Sequence, residues 1–270
     1  LDMELKMAIK PYARPDVLQE DIEAVCDVLK SQYLTTGPKV DELEAVFCDL
    51  VDAPFSVASS NGTTALHLAC LALGLKEGDL VLVPAMTFLA TANAVRMCGA
   101  DVVFCDVDPE TGIVRLEDII KAQNKVSPID QVRIKAVFVV HIGGHCADMP
   151  KISEYVVSQG WKLIEDACHA LGGTHVNAKV GSCVYSDIAS FSLHATKCFT
   201  SGEGGMTTTK DAELALKMKT LRNHGMTRDP ETGPWAYKMQ DLGYNYRLSD
   251  IQCALAISQL KRFDQVRQRR

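Results

Sequence analysis

Five short apolar runs decide the fold: LVLVP (80–84), DVVFCDV (101–107), KAVFVVHIGG (135–144), WKLIEDA (161–167) and DIASFSLHA (187–195). Segments with a helical period separate these runs along the chain. Short apolar runs joined by helical connections are typical of a mostly parallel sheet that is covered by helices on both faces. The sequence therefore predicts an α/β fold, in which ligands bind beyond the carboxyl ends of the strands.

The segments before this region predict two helices, a strand and a third helix. Residues 16–30 carry apolar positions at helical spacing, with Asp16 as the expected cap, and VDELEAVFCDLV (40–51) resumes that period after a break at Gly37 and Pro38. FSVASSNGTTALHLACLALGL (55–75) indicates a strand, a polar turn and an apolar helix.

Composition narrows the class of protein. Of the 270 residues, 47% are hydrophobic and 23% are charged, which is typical of a folded globular chain and not of a disordered one. The formal charge of -6 argues against binding to nucleic acid or to anionic membranes. The ten cysteines include no CxxC pair, so we expect reduced thiols in a cytoplasmic protein and no metal site. No apolar run reaches the length of about 18 residues that a membrane span needs.

A turn rich in small polar residues follows the first predicted strand. SNGTTALHLA (60–69) lies between that strand and a helix start, where exposed N–H groups and the helix dipole favour an anion. The hydroxyls of Thr63 and Thr64 would add donors, and a routine helix cap is the alternative interpretation. Because neither GxxxxGK[ST] nor GxGxxG occurs, a P-loop and a nicotinamide dehydrogenase are both disfavoured.

Two further residues carry chemistry. Asp166 ends the run WKLIED, and a buried carboxylate there needs a partner such as a protonated pyridine nitrogen, an arginine or a metal. Lys197 follows SFSLHAT and precedes the turn SGEGG, a context that suits a Schiff-base lysine. A capping aspartate and an exposed loop lysine are the alternatives. Together with the polar turn, the two residues supply what pyridoxal 5'-phosphate requires: a phosphate anchor, a counter-ion for the ring nitrogen and an amine.

Eight motifs occur in one order along nearly the whole chain: LTTGPKV (34–40), SNGTTALHLA (60–69), PAMTFLATANAV (84–95), EDACHALG (165–172), SFSLHATK (190–197), SGEGG (201–205), RNHGM (222–226) and LGYNYRLSDIQCALAISQL (242–260). In these motifs the chain resembles the DegT/DnrJ/EryC1/StrS family of sugar aminotransferases. The resemblance implies the large domain of fold-type-I pyridoxal phosphate enzymes. It also implies three parts: an N-terminal helix and substrate-side loop (1–40), the cofactor-binding domain (41–255), and the start of a helix toward an absent small domain (256–270).

The resemblance also implies roles for the residues of the cofactor site. Lys197 is the lysine that binds the cofactor covalently and then acts as general acid and base, and Asp166 pairs with the pyridine nitrogen. Phe88 stacks on the ring, and His169 lies near the phenolic oxygen of the cofactor.

Further residues are assigned to the phosphate and to the substrate by the same resemblance. The phosphate contacts are Gly62, Thr63 and Ser192, together with Asn245, which family members send across a homodimer interface to the phosphate of the partner. The contacts to the sugar nucleotide are Tyr12 and the segment Gln32, Tyr33, Leu34 and Thr35. We expect Ile251, Ala254, Leu255 and Leu260 to form an apolar packing face, against a second subunit or against the chain's own sheet.

The implied activity is transfer of an amino group from L-glutamate to the 4-keto group of a UDP-linked 4-keto-6-deoxy-N-acetylhexosamine, as in pseudaminic acid biosynthesis. Sugar dehydratases of the same fold carry histidine at the position of Lys197, so the lysine favours transamination. The alternative is a truncated, non-catalytic paralogue that acts as a dimerisation or ligand-binding module. The basic segment KRFDQVRQRR (261–270) carries no stop signal, which favours truncation.

Overall fold

The computed structural model describes residues 14–228, 233 and 235–269. Its main sheet has seven strands: β1 (Phe55–Ser59), β2 (Leu80–Pro84), β3 (Asp101–Cys105), β4 (Ile134–Val140), β5 (Lys162–Asp166), β8 (Ile188–Ser192) and β9 (Gly205–Thr209). Two small hairpins lie outside it: β6 (Thr174–His175) with β7 (Ala178–Lys179), and β10 (Met226–Arg228) with β11 (Tyr237–Met239).

The α-helices of the described residues alternate with the strands along much of the chain: α1 (Gln19–Leu29), α2 (Pro38–Val51), α3 (Gly62–Ala72), α4 (Leu89–Met97), α5 (Leu116–Lys125), α6 (Met149–Ser158), α7 (Ala212–Arg222), α8 (Asp250–Leu260) and α9 (Phe263–Arg269). Within this part of the chain, no helix combines the length and apolar character that crossing a bilayer requires.

The strand order in the sheet is β1-β9-β8-β5-β4-β2-β3. The strands from β8 to β3 run parallel to one another, whereas β9 pairs antiparallel with both β1 and β8. The mostly parallel sheet is therefore confirmed, and β1 points the same way as the parallel strands. Strand β9 was not predicted because its sequence GMTTT lacks an apolar run, although all five of its residues are buried.

Helices cover both faces of the sheet, as expected from strands whose residues alternate between two buried sides. One face packs against α3, α4 and α7, and its strand residues include Val57, Val83 and Ile164. The other face packs against α5 and α6 on one side and against α2 and α8 on the other, with Leu163 and Phe191 among its strand residues. Neighbouring residues on a strand consequently face different helices.

The N-terminal helix α1 is attached to α8. Asp21 is fully buried and receives hydrogen bonds from the Arg262 guanidinium, one of them at 2.9 Å, and from the backbone amide of Leu18 at 2.9 Å. The expectation that Asp16 caps this helix was wrong. Helix α1 begins after Leu18, and the Leu18 amide donates a hydrogen bond to the side chain of Asp21 instead. Burial raises the pKa of Asp21, but the bonds from Arg262 and Leu18 outweigh it and lower that pKa to about 2.

The helix α8 packs against other parts of the same chain. Ala254 and Leu260 are buried, while Ile251 and Leu255 are only partly so, and the helix contacts α1 and α2. Ala254 and Leu260 of the predicted apolar face therefore belong to the core of this chain. The division of the chain at residues 40 and 255 stays a prediction, and α8 runs without interruption across the second of these positions.

Asp21→Asn should destabilise the fold at neutral pH by about 3 kcal/mol, because the nearly buried Arg262 charge loses its buried counter-ion and keeps only the exposed Glu20 at 3.8 Å. A carboxylate with a folded-state pKa below its unfolded value of 3.8 stabilises the protein above that value. The difference between wild type and variant should thus stay constant above about pH 5 and shrink as the pH falls from 3.8 toward 2. Urea unfolding at a series of pH values measures it.

The exposed Asp27 on the same helix provides the matched control, since Asp27→Asn removes a charge and no buried ion pair. Equal stability losses in the two variants would contradict a special role for the Asp21–Arg262 pair.

Candidate active site

The carboxyl ends of the parallel strands meet at one edge of the sheet. Asp166 ends β5, Ser192 ends β8, and the turn that begins at Ser60 follows β1. Because β9 is antiparallel, its first residue Gly205 lies at this edge, paired with both Ser59 and Ser192. The sheet topology therefore brings together segments that are up to 146 residues apart in sequence, since Gly205 pairs with Ser59.

The polar turn forms the N-terminus of α3. Asn61 caps the helix by accepting a hydrogen bond from the Thr64 amide at 2.9 Å. The Thr64 hydroxyl donates to the Asn61 carbonyl at 2.8 Å, so this hydroxyl is used within the turn and the expectation that it serves an anion was wrong. The amides of Gly62 and Thr63 come before the intrahelical hydrogen bonds begin and remain suited to bind an anion.

Two glycines allow this turn to approach its neighbours. A Cβ on Gly62 would lie 2.9 Å from the Cβ of Ser192, so the helix N-terminus and the end of β8 are in direct contact. A Cβ on Gly205 would overlap the carbonyl group of Asn61. Glycine at both positions is thus a steric requirement for joining Gly62 and Ser192 at one place.

Asp166 is held by two donors from different parts of the fold. Its side chain is buried, with Oδ2 accepting from the Thr91 hydroxyl at 2.7 Å and Oδ1 accepting from the Cys168 amide at 3.2 Å. Thr91 belongs to α4, which covers the face of the sheet toward which Asp166 points. The carboxylate is therefore oriented, and it retains acceptor capacity for a further donor.

Lys197 and His169 share the environment of Asp166. Burial lowers the pKa of His169, the charge of Lys197 lowers it further, and the charge of Asp166 acts in the opposite direction. Both charges are therefore near enough to the His169 ring to affect its pKa. His169 accepts a hydrogen bond from the Gly143 amide on Nδ1 at 3.2 Å, which leaves Nε2 to carry the proton of the neutral ring.

Phe88 is the residue immediately before α4, and its side chain is 69% exposed. Its carbonyl lies 3.2 Å from the Thr91 hydroxyl that also contacts Asp166. The aromatic ring is consequently accessible, and its stacking on a cofactor stays a prediction.

The side chain of Glu165 points to the opposite face of the sheet from that of Asp166, the next residue of β5. It is fully buried and bonds His141 Nε2 at 2.9 Å, His175 Nε2 at 3.2 Å and the Ser186 hydroxyl. Burial raises its pKa, but the bonds from the two histidines outweigh it and lower the pKa to about 2. The two histidines and Glu165 bring ligand atoms within 4.8 Å of one another. Hydrogen bonds account for this arrangement, which ties the β6–β7 hairpin to the sheet.

Asn245 lies on the surface beside the polar turn. The backbone of Tyr246 is fixed because its carbonyl accepts from the Ser60 amide at 2.9 Å, and Asn245 itself pairs with Asn223. The side chain of Asn245 is exposed, whereas its two neighbours in sequence are partly buried. Asn245 is therefore accessible at the surface.

The predicted substrate segment is attached to the start of α8. Leu34 accepts a hydrogen bond from the Asp250 amide at 3.0 Å, and Thr35 pairs with Ser249. The side chain of Gln252, in the first turn of α8, donates to the Glu203 carbonyl in the glycine-rich turn at 2.9 Å. Through α8 the segment is linked to the site edge, and its members are all exposed: Gln32, Tyr33, Leu34 and Thr35. Tyr12 lies outside the described residues.

Sequence reasoning missed Thr91, Gly143 and the Cys168 amide. Thr91 carried a weak signal, since Thr87 and Thr91 are four residues apart and therefore on one side of a helix start. The backbone donors of Gly143 and Cys168 carried none, because any residue type offers an N–H group.

A family model described as the DegT/DnrJ/EryC1/StrS aminotransferase family matches residues 15–270. Over 253 residues the chain is 40% identical to the UDP-4-amino-4,6-dideoxy-N-acetyl-beta-L-altrosamine transaminase of Campylobacter jejuni, covering 94% of this chain and 64% of that protein.

Two solved structures share the fold. PseC of Helicobacter pylori, an aminotransferase involved in the biosynthesis of pseudoaminic acid, matches with a TM-score of 0.85 and 29% identity, over 94% of this chain and 66% of that one. A putative sugar aminotransferase from Streptococcus pneumoniae in its PMP form matches with a TM-score of 0.87 and 28% identity, over 96% of this chain and 69% of that one. The expected fold-type-I aminotransferase large domain is therefore confirmed.

The chain spans about two thirds of the length of these relatives. The family model covers nearly all of its residues, in agreement with the eight motifs. The chain therefore belongs to the DegT/DnrJ/EryC1/StrS aminotransferase family, whose members use pyridoxal phosphate.

Proposed function

We propose that this chain binds pyridoxal phosphate and acts as a nucleotide-sugar aminotransferase. The observation that carries the proposal is that Asp166, at the end of β5, and the contact between Gly62 and Ser192, at the end of the neighbouring strand β8, lie at one edge of the sheet. The charges of Asp166 and Lys197 both act on the ring of His169. A phosphate anchor, a carboxylate and an amine at one sheet edge are the set of groups that this cofactor needs.

The residues present fit the cofactor. The phosphate would be held by the amides of Gly62 and Thr63 at the positive end of the α3 dipole and by the Ser192 hydroxyl beside them. Glycine at residue 62 allows the helix N-terminus to come this close to Ser192. Phe88 offers an exposed ring to cover one face of a flat heterocycle.

The polar side chains would then divide the work of proton transfer. When bound, the cofactor supplies a conjugated ring that accepts the electron pair released at the α carbon of the amino donor. Asp166 would hold a proton on the pyridine nitrogen. The amine of Lys197, once the amino donor has displaced it from the cofactor, would take the proton from the α carbon and return it at C4′. His169, whose pKa is lowered, would donate Nε2–H toward the phenolic oxygen.

The substrate pair that we propose is L-glutamate and a UDP-linked 4-keto-6-deoxy-N-acetylhexosamine, as in pseudaminic acid-type biosynthesis. Support comes from the relatives, which are named as an altrosamine transaminase and as an aminotransferase of pseudoaminic acid biosynthesis. The exposed polar segment from Gln32 to Thr35, linked to the site edge, is suited to contact the nucleotide part.

We further propose a homodimer with shared active sites. Exposed apolar residues lie on the β10–β11 hairpin and in the loop after it: Trp235, Tyr237, Met239 and Leu242. Asn245 follows this loop and is exposed as well, so a partner that covers the hairpin would meet it. We assign Asn245 to the phosphate of the partner. All ten cysteines are free, which supports a cytoplasmic location.

The half-reaction tests the proposed function directly. The chain is incubated with pyridoxal phosphate, freed of excess cofactor and mixed with L-glutamate, then with a panel of UDP- and dTDP-linked 4-keto sugars. We expect a bound visible chromophore that glutamate bleaches and a UDP-linked 4-keto-N-acetylhexosamine restores faster than its dTDP counterparts. Failure to bind the cofactor, or a spectrum that no amino donor changes, would point to the non-catalytic alternative.

Lys197 should carry the cofactor. Borohydride reduction followed by peptide mapping should find the phosphopyridoxyl group on Lys197, and Lys197→Ala should abolish the label. Lys210 serves as the control: it is exposed, it donates to the Val184 carbonyl, and Lys210→Ala should label as wild type does. A label on any lysine other than 197 would overturn the assignment.

Mixed dimers should reveal the shared site. A Lys197→Ala subunit combined with an Asn245→Ala subunit forms one site that has both residues and one that lacks both. Activity per verified hybrid should therefore recover to about half of the wild-type value, far above either parent. Combining Lys197→Ala with the double variant Lys197→Ala/Asn245→Ala must recover nothing. Hybrids without recovery, or a monomer by sedimentation, would rule out the shared site.

A further inference from the structure

The hydroxyl groups of Thr87 and Thr91 form a line that ends on Asp166. Thr91 is fully buried, and its Oγ1 lies 2.7 Å from Asp166 Oδ2 and 2.6 Å from Thr87 Oγ1. Both threonines belong to TFLAT (87–91), the segment that opens α4 and also contains Phe88.

The direction of these hydrogen bonds follows from what each group can donate. An ionised carboxylate only accepts, so the single proton of the Thr91 hydroxyl points to Asp166. The contact between the two hydroxyls must then use the proton of Thr87. The Phe88 carbonyl competes for the Thr91 proton from 3.2 Å, a longer distance than the 2.7 Å to the charged oxygen. Two donors in series polarise each other and strengthen the bond to the carboxylate.

The hydrogen bond from Thr91 limits the rotation of the Asp166 carboxylate. Thr91 holds Oδ2 from the side of α4, and the Cys168 amide holds Oδ1 from the chain that follows β5. The terminal torsion of an aspartate is otherwise broad, so these two bonds decide which way the remaining lone pairs point. Losing the Thr91 bond would free the carboxylate to turn about that torsion and leave a buried oxygen without a donor.

We propose that Thr91 is a positioning residue that aims Asp166 at the pyridine nitrogen, with Thr87 as its support. The inference rests on the proposed function, since it concerns the same cofactor. One helical turn at the start of α4 thereby sets both the group that covers the ring, Phe88, and the orientation of the group that meets its nitrogen. A hydroxyl at residue 91, and not only a side chain of that volume, is what the site requires.

The test compares Thr91→Val, which keeps the shape and removes the hydroxyl, with Thr91→Ser, which keeps the hydroxyl. Bound pyridoxal phosphate labelled with 15N reports the protonation of its ring nitrogen by chemical shift across pH, and the glutamate half-reaction gives kcat and KM. Thr91→Val should lose the nitrogen proton at lower pH than wild type and lower kcat about 10- to 100-fold, with KM much less affected. Thr91→Ser should restore both to within about threefold.

Two further variants frame the result. Asp166→Asn gives the full effect of losing the carboxylate. Thr87→Val should change the protonation of the ring nitrogen and kcat in the same direction as Thr91→Val, but by less. Thr111→Val is the matched control, because Thr111 donates to the carboxylate of Asp108 at 3.1 Å on the surface and should leave both quantities unchanged.

The outcomes are separable. A Thr91→Val protein with wild-type nitrogen titration and kcat overturns the proposal, and so does a Thr91→Ser protein as impaired as Thr91→Val. If Thr91→Val does not fold, the protonation of the ring nitrogen and the kcat of Thr87→Val test the proposal instead. If the wild type binds no cofactor, the proposed function fails on its own. The 13C shift of the Asp166 carboxyl in the cofactor-free protein then tests whether Thr91→Val removes the bond.

Discussion

Two carboxylates, Glu165 and Asp166, stand next to each other at the end of a central strand, and both are buried. A buried charge requires hydrogen-bond donors, and adjacent strand residues must find them on opposite faces of the sheet. Glu165 takes its donors from the β6–β7 hairpin and from the end of β4, whereas Asp166 takes its donors from α4 and from the backbone that follows β5. Four separate parts of the chain are thereby held around the last two residues of β5.

Glu165 therefore serves the structure of the protein, whereas Asp166 serves the candidate active site. The side of Glu165 is closed: two histidines and a serine satisfy the carboxylate. The side of Asp166 is left with acceptor capacity, and its charge acts together with that of Lys197 on the ring of His169. The same strand end thus fixes a hairpin on one face while it offers an oriented carboxylate on the other, and a shift of β5 would disturb both.

The sequence predicted what depends on short-range patterns. Apolar runs indicated the parallel strands, and the polar or glycine residues after them indicated the site edge, including Asp166 and Lys197. The Thr-rich strand β9 and the bond between Thr91 and Asp166, 75 residues apart, were not predictable, because strand order decides which distant residues meet. Sequence also could not decide whether the apolar face of α8 covers its own core or a partner. Helix α8 packs against α1 and α2, so the buried residues Ala254 and Leu260 cover the core of this chain.

The attachment of α1 to α8 has a consequence for how the protein is made. Asp21 and its partner Arg262 are 241 positions apart. At a translation rate of about 5 to 20 residues per second, roughly 12 to 48 seconds pass between the synthesis of the two residues. During that time the apolar side of α1, including Val28, has no docking site, and the acidic side chain of Asp21 remains in water. Helix α1 therefore reaches its native contacts only after Arg262 has been synthesised, so its docking is a late, non-local step of folding.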